Sequence, residues 1–220
     1  MPEPLVLYIG EKNVSSWSMR AWVALVHKGL RFEERTISLQ KDRDRAERRR
    51  IGPTGRVPVL HHGDLVIPDS LAILEYLEET FPPPEHPAVW PDDVRRRAHA
   101  RWLAAAIHAG FVKLRESMSF HLCFLPQIPP ATPEALAEAR EMLGYWEDAL
   151  ARKTAPGPYL VGPFCGADVM YAPAVVRLTA FRVPTDATPR AAEYMAKVLE
   201  YPAVAGWMAQ ARALPPVERE

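Results

Sequence analysis

The segment Phe81-Pro82-Pro83-Pro84-Glu85-His86-Pro87 divides this sequence more sharply than any other feature. Proline fixes φ and has no backbone N–H, so closely spaced prolines cannot continue a helix and favour an extended connector. The character of the chain changes across it. Before it, short apolar runs alternate with helix-like ones; beyond Pro91 come long helical runs. At 220 residues and 48% hydrophobic, the chain can bury either one large core or two smaller ones. The change of period predicts two domains, residues 1–81 and 92–220, with a proline-rich linker over 82–91.

Within the first part, residues 5–8 read as a short buried strand and 16–27 as a helix stopped by Gly29. Residues 32–38 supply a second strand, and the charged stretch 42–50 is helical but polar, ending before Gly52-Pro53. Runs 57–61 and 65–67 flank His62-Gly63-Asp64, the turn signal of an antiparallel hairpin. Residues 70–80 then form an amphipathic helix with Leu71, Leu74, Leu77 and Phe81 at helical spacing. This β-α-β-α-β-β-α order is that of a thioredoxin-like domain.

In the second part, Leu103, Ile107, Phe111, Leu114 and Met118 form one apolar stripe, which predicts a single long helix over 92–120. A second long helix covers 133–152, and further helices are expected at 166–181, 189–199 and 202–214. The fold class expected is α/β plus all-α: a thioredoxin-like N-terminal domain followed by an all-helical C-terminal domain.

Twenty-seven basic residues balance 27 acidic ones, so no global field draws in nucleic acid or an anionic membrane. The arginine-rich stretch 41–50 is interleaved with Asp42, Asp44 and Glu47 and reads as a solvated helix face. Cys123 and Cys165 form no C-x-x-C and no metal-ligand spacing, which suits free thiols in a reduced cytosol. No signal peptide and no apolar run of ~18 residues is evident, so a cytoplasmic protein without membrane contact is expected.

Three segments carry chemistry. Ser15-Ser16-Trp17-Ser18-Met19-Arg20 lies at a strand-to-helix junction, where unpaired N–H groups and the helix dipole favour a bound anion or thiolate. Gly55-Arg56-Val57-Pro58-Val59-Leu60 places a proline at the entry of a strand, where it removes a ladder donor. Asp69-Ser70 opens a helix; alone, it reads as an N-cap. Together the three resemble the cytosolic glutathione transferase family, and the serine run is most similar to the zeta-class pattern Ser-Ser-Cys-Ser-x-Arg.

The resemblance implies a homodimeric enzyme that uses glutathione as co-substrate, with no metal, and conjugates its thiolate to a small hydrophobic electrophile. Ser15 takes the catalytic role, with Ser16 beside it, and Tyr8 is treated as core. Val57, preceding a cis Pro58, pairs through its backbone with the cysteinyl part of glutathione. Arg56 meets the glycyl carboxylate, and Asp69-Ser70 receives the γ-glutamyl end, although the family more usually has Glu or Gln before that serine. Trp17, Ile107 and Phe111 are the candidates for the electrophile pocket, with a plain core stripe as the simpler reading of the last two. Trp17 stands where the zeta isomerases of maleylacetoacetate carry cysteine, which weakens an isomerase reading; a non-catalytic binding protein is the third alternative. Phe164-Cys165-Gly166-Ala167-Asp168 resembles the family's capping box, with Asp168 structural. His61-His62 read as exposed turn residues, not metal ligands.

Overall fold

A computed structural model describes residues 3–39 and 43–217. The chain forms two compact units, one of Met1–Val89 together with Gly206–Glu220 and one of Trp90–Ala205. The C-terminal segment thus groups with the first unit.

The first unit holds a four-stranded mixed sheet in the order β2-β1-β3-β4. The central strand β1 (Leu5–Ile9) buries Leu5, Leu7 and Ile9 and leaves Val6 and Tyr8 half-buried, the period-2 pattern of a strand with one covered face. It pairs in parallel with β2 (Glu33–Thr36) and antiparallel with β3 (Val59–His62), which forms a hairpin with β4 (Leu65–Ile67). Helix α1 (Ser16–His27) packs against α3 (Ser70–Thr80). Gly29 ends α1 in the left-handed region at φ 66° and its N–H reaches Val26 O at 3.0 Å. Three strands differ from expectation at their limits. β1 runs on to Ile9, the second strand is confined to Glu33–Thr36, and β3 extends to His62 but begins only at Val59, because the proline before it has no N–H to donate.

Helix α2 (Arg43–Ile51) matches the arginine-rich stretch; Lys41 and Asp42 lie outside the described residues. Its face is not wholly solvated. Arg48 Nε donates to Gly55 O at 3.1 Å and Nη1 to Ser38 O at 2.9 Å, bracing the loop that leads to Val57.

The proline-rich segment is held against the ends of α1 and α3. Lys28, fully buried, donates to Glu78 at 2.9 Å and to Phe81 O at 2.6 Å. Glu78 also accepts from Val89 N at 2.7 Å. His27 Nε2 meets Ala88 O at 3.0 Å, and burial lowers the His27 pKa, favouring a neutral ring that donates there. His86 Nδ1 meets Lys28 O at 2.9 Å.

At the other end of the chain, helix α9 (Pro202–Arg212) sends Trp207 into the first unit, where its Nε1 donates to Lys12 O at 3.1 Å. The Lys12 ammonium sits 5.0 and 5.3 Å from the Trp22 and Trp207 rings, and it binds Glu34 at 2.7 Å. Trp22 Nε1 donates to the same carboxylate oxygen at 2.7 Å. A cation this buried is tolerable because a carboxylate and two aromatic faces replace its water.

The second unit contains α4 (Val94–Ala109), α5 (Val112–Ser117), a 3-10 turn (Phe120–Phe124), α6 (Pro133–Arg152), α7 (Gly166–Ala180) and α8 (Pro189–Glu200). The single helix expected over 92–120 is broken. Gly110 leaves the helical region and Phe111 adopts φ 58°, ψ 44°. The Arg115 guanidinium then caps the freed carbonyls of Ile107 at 3.2 Å and Gly110 at 2.6 Å. Leu114 and Met118 remain buried across the break, so the apolar stripe is continuous although the helix is not. Helix α7 is buried along nearly its whole length. It starts at a glycine because a Cβ at Gly166 would lie 2.6 Å from the Trp90 ring.

Asp168, fully buried, accepts from Cys165 N at 2.8 Å and Leu160 N at 3.2 Å, the structural role expected of the capping box. Burial pushes its carboxyl up to about 6, outweighing the two N–H bonds. A folded-state value above the unfolded 3.8 means that the folded chain holds this proton longer. The contribution to stability is therefore present below about pH 4 and lost as pH rises through about 6. Urea unfolding between pH 4 and 7 should show wild type losing stability relative to Asp168→Asn, by on the order of 3 kcal/mol. Parallel curves would contradict this.

Candidate active site

Strand direction brings the three motif segments to one edge of the first unit. The chain leaves β1 at Gly10. Because β3 runs antiparallel to β1 with Val59 opposite Tyr8, Val57-Pro58 lie beyond that same end. Because β4 runs antiparallel to β3 with Ile67 opposite Leu60, Pro68-Asp69-Ser70 leave the sheet there too. Residues 15–18, 56–58 and 69–70 gather through topology.

Ser15 is the N-cap of α1, in extended conformation, and its Oγ accepts from Ser18 N at 3.2 Å. Ser18 Oγ lies 2.7 Å from Ser15 Oγ and accepts from Gly10 N at 3.1 Å. Ser16 is the first residue of α1 and is buried. Half-buried Trp17 carries the Arg20 guanidinium on its ring face at 4.2 Å.

The Val57–Pro58 peptide is cis, as expected from the motif. Val57 is half-buried, Pro58 is buried, and Arg56 is exposed beside them. Asp69 is the N-cap of α3, its Oδ1 accepting from Leu71 N at 2.8 Å and Ala72 N at 3.0 Å. With that capping done by Asp69, Ser70 sits in the first turn at 1% exposure, and its hydroxyl oxygen has no hydrogen-bond partner among the described residues. Buried hydroxyls without partners are uncommon in native proteins, and each costs about 1–3 kcal/mol. Placed at the positive end of the α3 dipole, such a hydroxyl suits a carboxylate arriving from outside.

The other pocket candidates, Ile107 and Phe111, belong to the second unit. Ile107 is buried in α4, and Phe111 is buried at the start of α5 with its ring edge-on to Tyr145 at 5.9 Å. Tyr8 is half-buried, not core, because Arg35 Nη1 on the neighbouring strand donates to its hydroxyl at 3.0 Å. His61 and His62 are half-buried strand residues, not exposed turn residues. His61 Nε2 meets Ile51 O at 2.7 Å, and His62 Nδ1 meets the Tyr76 hydroxyl at 2.6 Å. Sequence reasoning overlooked Ser18, although it stands within the serine run. It also overlooked the brace from Arg48.

The description "Glutathione S-transferase, N-terminal domain" matches residues 14–80, which hold all three motif segments. Glutathione S-transferase 1 of Dianthus caryophyllus is 47% identical over 87 residues, 39% of this chain and 38% of that protein. The maleylacetoacetate isomerase of Rattus norvegicus is 32% identical over 188 residues, 84% of this chain and 82% of that enzyme. The chain thus spans well under half of the first relative and most of the second. Among solved structures, a glutathione transferase homolog from Burkholderia with bound glutathione superposes with TM-score 0.71 at 30% identity, covering 96% of this chain and 99% of that one. Among the described residues no helix is long and apolar enough to cross a membrane. The match over the motif-bearing segment, joined by identity along most of the rat enzyme, means that this chain belongs to the glutathione S-transferase family.

Proposed function

We propose that the edge formed by Ser15, Arg56, Val57, Pro58, Asp69 and Ser70 binds glutathione and that the protein transfers its thiolate to small apolar electrophiles. The buried, unpartnered hydroxyl of Ser70 carries this reading. It donates to the γ-glutamyl α-carboxylate, helped by the N-terminal dipole of α3. Asp69 faces the neighbouring ammonium, the backbone of Val57 pairs with the cysteinyl residue, and Arg56 meets the glycyl carboxylate. Arg56 is exposed, so that pairing adds little.

Ser15 donates to the sulfur, with Ser16 adjacent. A free thiol titrating near 8.5 is only a few per cent thiolate at pH 7. Lowering its pKa by about two units stabilises the anion by roughly 2.7 kcal/mol. One charge-assisted hydrogen bond at a helix N-terminus supplies an effect of that size. The thiolate then attacks an electrophilic carbon and forms the C–S bond as the leaving group departs with its bonding pair, or as an activated double bond opens and its other carbon takes a proton from water. Half-buried Trp17 offers the sulfur an aromatic neighbour.

A second reading, glutathione-dependent cis–trans isomerisation of the maleylacetoacetate type, draws on the Ser15-Ser16-x-Ser18-x-Arg20 pattern and on the likeness to the rat isomerase. Trp17 argues against it, since the zeta pattern has cysteine at that position. Family likeness along most of the chain also favours a homodimer.

Calorimetric titration with glutathione should show Ser70→Ala binding about 1–3 kcal/mol more weakly than wild type. Equal affinities in two folded proteins would remove Ser70 from the site. Conjugation to a generic aryl halide should outpace isomerisation of maleylacetoacetate by the unaltered protein; the reverse order would install the second reading. Light scattering should return twice the 24.7 kDa chain mass, and a monomer mass over a wide concentration range would refute the dimer.

A further inference from the structure

We infer that Ser18 is a positioning residue for Ser15, holding the Ser15 hydroxyl as a donor turned outward to a bound thiolate. The inference rests on the role given to Ser15 above and extends it to a side chain that no ligand touches. Ser18 is fully buried, at 0% exposure.

The hydrogen-bond directions follow from what each group possesses. A hydroxyl has one proton and two lone pairs, whereas a backbone N–H only donates. Gly10 N therefore fills one lone pair of Ser18 Oγ at 3.1 Å, and Ser18 N fills one lone pair of Ser15 Oγ at 3.2 Å. The 2.7 Å contact between the two hydroxyl oxygens can run either way. If Ser15 donates, its only proton points inward, and the Ser18 proton is left without an acceptor among the described residues in a fully buried place. If Ser18 donates, its proton is used, both Ser15 lone pairs are filled, and the Ser15 proton is the one left over. Ser15 is also buried, at 5% exposure, so either arrangement leaves one hydroxyl proton unpaired until an anion arrives. A thiolate at Ser15 takes that proton only in the second arrangement, which satisfies both hydroxyls and therefore prevails in the complex.

The chain of donors runs from Gly10 N–H to Ser18 O–H to Ser15 O–H. Successive hydrogen bonds polarise one another, which makes the last proton a better donor to an anion. Glycine at position 10 allows this close approach: a Cβ there would lie 2.4 Å from Leu39 Cδ1 and 3.0 Å from Ser15 Cβ and would press on both side chains.

The test is the pKa of enzyme-bound glutathione, read from thiolate absorbance against pH in wild type, Ser15→Ala, Ser18→Ala and the double variant. Ser18→Ala should raise that pKa by about one unit, so that thiolate well below the pKa falls about tenfold, with glutathione affinity by calorimetry nearly unchanged at a pH below both pKa values, where the bound thiol is protonated. The double variant should titrate with Ser15→Ala, because Ser18 acts only through Ser15. If Ser18→Ala does not fold, Ser18→Cys carries the test: it keeps the size, donates weakly, and should shift the curve the same way. Difference spectra with and without glutathione cancel its own thiol. A wild-type curve in the Ser18 variant alongside a shifted Ser15→Ala overturns the inference alone. So does a shift in the double variant beyond that of Ser15→Ala. An unshifted Ser15→Ala overturns the role of Ser15 and this inference with it.

Discussion

The pairing of β1 with β3 is the constraint on which the candidate site depends. Tyr8 stands opposite Val59, and Leu7 opposite Leu60. In a strand whose alternate residues are buried, a slip of one position would turn Leu5, Leu7 and Ile9 away from the core. That cost locks the register, and the register places Val57 and Pro58 beside the exit of β1. Continuing the alternation through the β3–β4 hairpin delivers Asp69 and Ser70 to the same edge. A glutathione-sized ligand can then meet two helix starts and one strand entry without any of them being close in sequence.

Polar groups at this edge divide between holding the fold and meeting a ligand. Asp69 takes the helix-capping bonds of α3, which leaves the Ser70 hydroxyl with no partner among the described residues. Ser15 takes the Ser18 N–H in the equivalent position on α1 but keeps a proton of its own. Residues just before Ser15 are held from the far end of the chain. Lys12 lies against both the Trp22 and Trp207 rings and binds Gln210, and Asn13 Nδ2 donates to Pro215 O at 2.8 Å. Such long-range fixing keeps a short polar loop rigid enough to present one hydroxyl in one direction.

Local signals made much of this legible. Gly29 stops α1 where expected, and Thr132-Pro133 starts α6 with a side-chain cap to Ala135 N at 3.3 Å. Asp69 caps α3 at the position its spacing indicated. What escaped was non-local or invisible to periodicity. The stripe from Leu103 to Met118 hid the break at Gly110-Phe111, because apolar spacing says nothing about a left-handed φ or about Arg115 capping the freed carbonyls. Arg48 read as one charge among many on a polar helix, yet the carbonyls it bridges belong to two separate loops. Trp207 and Lys12 are 195 positions apart, beyond any local pattern. At the site, the motif named the three segments, but the Ser70 hydroxyl's lack of a partner and the Ser18 contact to Gly10 N needed coordinates.

Amide chemical shifts recorded during a glutathione titration test the central claim most directly, since they report where the tripeptide binds without altering any residue. If the sheet edge is the site, the largest saturable shifts fall on residues 15–18, on Val57 and on Ser70, and the helices of the second unit from α6 to α8 stay nearly still. Saturable shifts clustered elsewhere, or none at millimolar glutathione, would contradict the account.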